Sequence, residues 1–191
     1  GPHLSTRSFD IGNPDLDVET AWMVDAGLVW FGPGFTLEAD VFWRRIQDFI
    51  YQENLGIAFD VEDQQFRVAC VRLDRCVSAF GYAQRDALFT GGEARLTVPL
   101  RLGTADVNLS AFADSVRGYF LEEGAGSVPR LPPVKVGAAA QVDRGRWTAG
   151  LRLTRALAQP RAGLNEPGTD AYTLLNADIG VRLPAWGGGE A

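Results

Sequence analysis

The sequence predicts an all-β protein, a portion of an antiparallel transmembrane β-barrel contributing about seven long strands. Three observations carry that expectation. Segment after segment alternates strictly between apolar and polar residues, the polar face carries full charges, and the connections between segments alternate between short and long. Successive side chains on a strand point to opposite faces, so each segment is a ribbon with one dry and one wet side.

The first strand, near 20–31, places Trp22, Val24, Ala26, Leu28 and Trp30 on one face and Asp25 on the other. The second, near 35–51, sets Leu37, Ala39, Val41 and Trp43 against Glu38, Asp40 and Arg44. In the third, near 78–100, Leu88, Ala94, Leu96, Val98 and Leu100 oppose Glu93 and Arg95. Four more strands follow near 106–120, 134–143, 146–158 and 171–183, and the last two carry Arg152, Asp178 and Arg182. Gly32-Pro33-Gly34, Leu102-Gly103-Thr104-Ala105 and Arg144-Gly145 read as tight turns, whereas 52–77, 121–133 and 159–170 read as long loops. Short turns on one side and long loops on the other are the habit of outer-membrane barrels, with the short side facing the periplasm. A ten-residue strand tilted by about 45° climbs roughly 24 Å, close to the apolar band of such a barrel. Trp22, Trp30, Phe31, Trp43, Phe49, Tyr51, Trp147 and Tyr172 fall toward strand ends, where amphipathic rings favour the headgroup level.

Composition narrows the function classes. The chain has 191 residues, 18 basic and 24 acidic, for a net charge of −6, with no basic run to track a phosphate backbone, so no nucleic-acid partner is expected. No apolar run is long enough for a transmembrane helix, which leaves strands that cross with about 9–11 residues each. With one His, no Gly-x-Ser-x-Gly elbow, no phosphate-cradling Gly loop and no metal-spaced Cys/His set, neither an enzyme nor a cofactor is expected.

Residues 11–51 carry a more specific pattern. Ile11-Gly12-Asn13-Pro14-Asp15-Leu16-Asp17-Val18-Glu19-Thr20, then an alternating strand, a tight turn and Arg45-Ile46-Gln47-Asp48-Phe49-Ile50, resembles the late barrel hairpin of TonB-dependent outer-membrane receptors. Gly91-Gly92-Glu93-Ala94, Arg130-Leu131-Pro132-Pro133 and Tyr172-Thr173-Leu174-Leu175-Asn176-Ala177 are similar to further family segments, so the resemblance spans essentially the whole chain. Gly1-Pro2-His3-Leu4 with Phe9-Asp10-Ile11-Gly12 looks most like the branch associated with zinc, and sometimes haem, uptake.

The resemblance implies a receptor in the outer membrane of a Gram-negative bacterium. Such a receptor captures a scarce ligand, here a metal ion such as zinc or a chelate such as haem or a siderophore, and passes it through a plugged barrel with energy from TonB. It also implies outer-membrane lipid, the TonB complex and a small ligand as partners. A family barrel has about 22 strands, so residues 1–191 are expected to be a partial C-terminal segment, with the plug domain and final strands absent; the chain stops at Pro184-Ala185-Trp186 and a Gly-rich tail.

Individual residues carry the remaining expectations. Cys70 and Cys76 lie in the longest loop, and if it faces the exterior a disulfide is the economical reading, with a redox-active or metal-binding pair as the alternative. His3 is the sharpest metal-ligand candidate, since neutral imidazole is a common zinc ligand; the alternative is a solvated residue near a terminus. Asp60, Glu62 and Asp63 either offer carboxylates to a cation or form an ordinary acidic loop. Asp25, Glu38, Asp40, Arg44, Glu93, Arg95, Arg152, Asp178 and Arg182 are expected to face the lumen and pair across strands, some of them contacting the plug. Two rivals are a passive outer-membrane pore and a soluble β-rich binding module. A soluble sandwich shares the alternation, but strands of roughly 12 to 20 residues are long beside the usual five or six.

Overall fold

The computed structural model describes residues 1–3, 5–70, 74–163 and 166–183; Pro184-Ala185-Trp186 lies outside them. The strands are β1 (Pro2–His3), β2 (Ser8–Ile11), β3 (Thr20–Gly32), β4 (Phe35–Asp60), β5 (Gln65–Arg67), β6 (Cys76–Leu102), β7 (Ala105–Phe120), β8 (Lys135–Arg144), β9 (Trp147–Ala156) and β10 (Tyr172–Val181). Strands β3, β4, β6, β7, β8, β9 and β10 form an antiparallel meander in which each pairs with the next. Among the described residues, β3 and β10 each pair on one side only, so the sheet is open. The tight turns place Gly103 and Gly145 at φ of 62° and 60°, a conformation that glycine adopts without a Cβ clash.

The ladder register assigns every side chain to a face. Glu38 pairs with Arg95, Asp40 with Glu93 and Glu93 with Asp114, while Leu37 pairs with Leu96 and Leu96 with Ala111. The apolar set therefore runs across one face from Trp30 through Leu37, Leu96, Ala111, Ala138 and Leu153 to Leu175. That face has no layer over it: Trp22 is 74% exposed, Leu175 66% and Ile179 76%. Large apolar side chains left uncovered over so wide a surface mark a face that meets another apolar medium.

The segment 52–77, expected as a loop, is largely strand. β4 runs on to Asp60 and β6 begins at Cys76, with short β5 folded against the end of β4. The reason lies in two register shifts, between Ile46 and Phe49 and between Asn54 and Ala58. An inserted residue flips the face of everything after it, so an alternation count reads the continuation as loop. The first shift also corrects the aromatic girdle. Trp22, Trp30, Trp43 and Trp147 share the apolar face, but Phe31 and Tyr172 fall on the charged one. Phe49 and Tyr51, beyond the shift, turn into a core.

That core is small and sits at the end of the sheet bearing the long connections. Tyr51, Ala87, Phe120 and Val128 are buried there, with Phe49, Phe89 and Leu131 packed around them. The Tyr51 and Phe120 ring centroids are 4.5 Å apart. The 121–133 connection closes over them through Val128 N–H donating to Gly118 O at 3.0 Å and Leu121 N–H donating to Asp86 O at 2.9 Å. Strand β2 joins the same end, parallel to the extension of β6, with Phe9 paired to Ala79.

Candidate functional site

Two regions hold the residues that the sequence singles out: the charged face of the meander and the loop end. Asp25, Glu38, Asp40, Arg44, Glu93, Arg95, Arg152, Asp178 and Arg182 all fall on one face by register, the last through Arg182 N–H donating to Arg146 O. Two pair as cross-strand ions: Arg44 lies 3.4 Å from Asp25, and Arg182 lies 3.2 Å from Asp143. The rest follow another arrangement. Asp40, Glu93 and Asp114 stand in one row on three adjacent strands, and like charges directly opposite one another are destabilising unless compensated. Glu38, Asp40, Glu93, Asp114, Arg95 and Arg152 line an open hollow of about 380 Å³ around Phe112.

Phe112 explains the two arginines. The Arg152 guanidinium is 3.9 Å from its ring centroid and that of Arg95 is 5.6 Å away, so the ring lies between two cations and attracts both through its π face. Three aromatic side chains on this face lie over glycines of the next strand. A Cβ on Gly91 would meet Phe42 at 2.6 Å, one on Gly118 would meet Phe89 at 2.8 Å, and one on Gly137 would meet Phe112 at 2.3 Å. Only a glycine leaves room for a ring lying flat on the neighbouring backbone, the arrangement that protects exposed sheet glycines. The sequence reading missed Asp114 and Phe112. Their signal was present, since both occupy the polar phase of the 106–120 alternation.

At the loop end the three acidic candidates are each engaged. Asp60 Oδ1 accepts the backbone N–H groups of Glu62 and Asp63, both at 3.1 Å, and its other oxygen lies 3.4 Å from Arg67. Arg67 also pairs with Asp63, and Arg75 with Glu62. The N–H of Asp63, then that of Glu62 and the guanidinium groups of Arg67 and Arg75, hold the Asp60 carboxyl below its ordinary pKa against the opposing effect of burial. Cys70 and Cys76 are joined by a disulfide across a sequence separation of 6, and Cys76 pairs in the ladder with Asp60. Phe9, Phe59 and Phe66 pack beneath, with centroids 4.2 Å apart for the first pair and 5.1 Å for the last. His3 stands apart on β1, its Nε2 3.6 Å from Asp10. Among the described residues, no group of three or more His, Cys, Asp and Glu side chains could hold a metal ion. The structure thus does not gather His3, Asp60, Glu62 and Asp63 into one ligand set.

The sequence matches the family described as TonB dependent receptor-like, beta-barrel, over residues 2–188. The chain belongs to that family. Among solved structures it is similar to that of the copper transporter OprC, with a TM-score of 0.68 and 16% identity over 91% of this chain. The match spans 26% of that structure's chain, so this sequence corresponds to about a quarter of it. At this identity the likeness shows the fold. No curated protein matches. TonB-dependent receptor barrels are outer-membrane transport proteins of Gram-negative bacteria, a class of receptors and not of enzymes.

Proposed function

We propose that residues 1–191 form part of the wall of a TonB-dependent outer-membrane receptor that takes up a scarce metal ion or metal chelate. On this reading they are a C-terminal barrel segment whose plug and final strands lie elsewhere in the receptor. The observation that carries the reading is the two-faced meander, with nine named charges on one face and uncovered Trp, Leu and Ile on the other. In a bilayer the apolar face meets lipid and the charged face lines the lumen. The open edges at β3 and β10 need neighbours, because each unsatisfied backbone group in lipid costs several kcal/mol.

The row of Asp40, Glu93 and Asp114 then has a role as a docking wall for basic groups of the plug. The loop end, locked by the Cys70–Cys76 disulfide, holds up the outer surface on which a ligand first lands, with His3 on its rim as the candidate metal ligand. Zinc is the ion suggested by the chain's family resemblance, and copper the ion carried by the structurally similar transporter.

The test is uptake by the complete receptor in cells with and without TonB, measured separately with isotopic zinc, isotopic copper and haem. The reading expects saturable uptake of one of these that is abolished without TonB. Uptake that persists unchanged without TonB would make the barrel a passive pore and overturn the proposal.

A further inference from the structure

The lipid-side face carries a second feature that transport does not require. From β6 to β10 the residues of this face, read by register, include no carboxylate, yet they include two arginines, Arg117 on β7 and Arg155 on β9. Both are exposed and both lie toward the loop end of their strands. An arginine on the lipid side costs about 2–4 kcal/mol at the midplane and far less near the headgroups, so this placement selects the polar boundary. Among the described residues neither has a carboxylate partner; Arg155 Nη1 donates to Thr173 Oγ1 at 2.9 Å, which fixes its direction along the sheet surface.

Immediately toward the membrane centre lies a shallow apolar groove of about 430 Å³. Its floor is Ala111, Ala138 and Ala140, and Leu96 and Leu153 stand on its flanks. The groove continues toward Arg117 through Ala113 and Ser115, alternate residues of the same strand face. A groove wide enough for hydrocarbon that ends between two guanidinium groups without carboxylate partners is complementary to one kind of molecule, an acyl chain ending in an anionic headgroup. Guanidinium favours phosphate, because its planar fork of N–H donors matches the phosphate oxygens.

We propose that the β6–β9 outer face holds a phosphorylated, acylated lipid of the outer leaflet, with an acyl chain along the alanine floor and the headgroup phosphate between Arg117 and Arg155. The inference rests on the outer-membrane reading given above. Such a lipid would seal the narrow part of the wall, where small side chains leave the sheet thin.

The test uses the complete receptor, extracted from outer membranes in mild detergent and examined by native mass spectrometry with diphosphorylated lipid A and its phosphate-free counterpart as probes. One diphosphorylated lipid is expected to remain bound, and the phosphate-free form is expected not to compete with it. The double substitution Arg117→Gln/Arg155→Gln should weaken retention at least ten-fold, and Ala138→Trp, which fills the groove, should weaken it independently. Heat-modifiable migration on gels establishes that each variant is a folded barrel. Equal retention by wild type and the double variant, or equal binding of the two probes, overturns the lipid site while leaving the outer-membrane reading standing. A receptor absent from the outer-membrane fraction would instead defeat that reading.

Discussion

The loop-end hairpin of β4 and β6 and the meander of β7 to β10 share one ladder but are held in opposite ways. At the loop end, Tyr51 and Phe120 are each 7% exposed, a disulfide closes the β5 turn, and arginines clamp its carboxylates. Across the meander, backbone pairing is continuous while Leu151, Leu174 and Ile179 stay half or more exposed. The difference teaches which solvent each part was selected for. The loop end makes its own core because water surrounds it, whereas the meander leaves its apolar side chains for lipid to cover.

The sharpest way to break this contrast is to empty the loop-end core. Phe120→Ala removes a ring packed on Tyr51 and is expected to cost about 3–5 kcal/mol locally. Amide hydrogen exchange on the complete receptor should show lost protection around 49–60 and 120–128 with the β8–β10 ladder unchanged. Next in size is a charge placed on either side of one strand. Leu96→Arg sets a guanidinium against lipid and is expected to cost about 2–4 kcal/mol, while its neighbour Thr97→Arg, facing Thr36 and Ser110, should cost less than about 1 kcal/mol. Denaturant titration of the two variants folded into lipid vesicles compares them directly.

How much of this was legible in the sequence divides along the same line. Strands 20–31, 106–120 and 134–143 could be read within a residue or two because uninterrupted alternation is a direct image of a sheet with two different solvents. The register also puts all nine charges that the sequence assigned to one face on that face. The extensions of β4 and β6 escaped because their two register shifts break the period, and β1, β2 and β5 because two to four residues cannot show one. The stacking of Phe42 on Gly91 and of Phe112 on Gly137 was hidden for another reason. It depends on which residues face each other across strands, and a single strand's pattern does not contain that. The acidic trio 60–63 was ambiguous in sequence because its partners, Arg67 and Arg75, become neighbours only once the turn closes.

Two smaller effects sharpen the comparison at the loop end alone. Replacing both cysteines, Cys70→Ser with Cys76→Ser, releases a short ring worth about 2 kcal/mol in the chain-entropy account. Limited proteolysis should then nick residues 61–75 faster, with the meander uncut. The pH dependence has a definite sign. The Asp60 carboxyl titrates lower in the folded turn than in the unfolded chain, so its contribution is complete above the ordinary aspartate value of about 4 and is lost as pH falls through the lower folded value. Acid titration of loop-end fluorescence should show this step, and Asp60→Asn should remove it.

The central claim is that adjacent residues of one strand face lipid and water in turn. Single cysteines placed in the complete receptor at 107 through 113 of β7, in its native outer membrane, test it most directly; Cys70 and Cys76 are already joined to each other and leave the background unreactive. Labelled with an environment-sensitive probe, positions 107, 109, 111 and 113 are expected to be quenched from the lipid phase and 108, 110 and 112 by a water-soluble quencher. Quenching that does not alternate, or water access along the whole strand, would contradict a membrane wall and return the alternation to a soluble sheet.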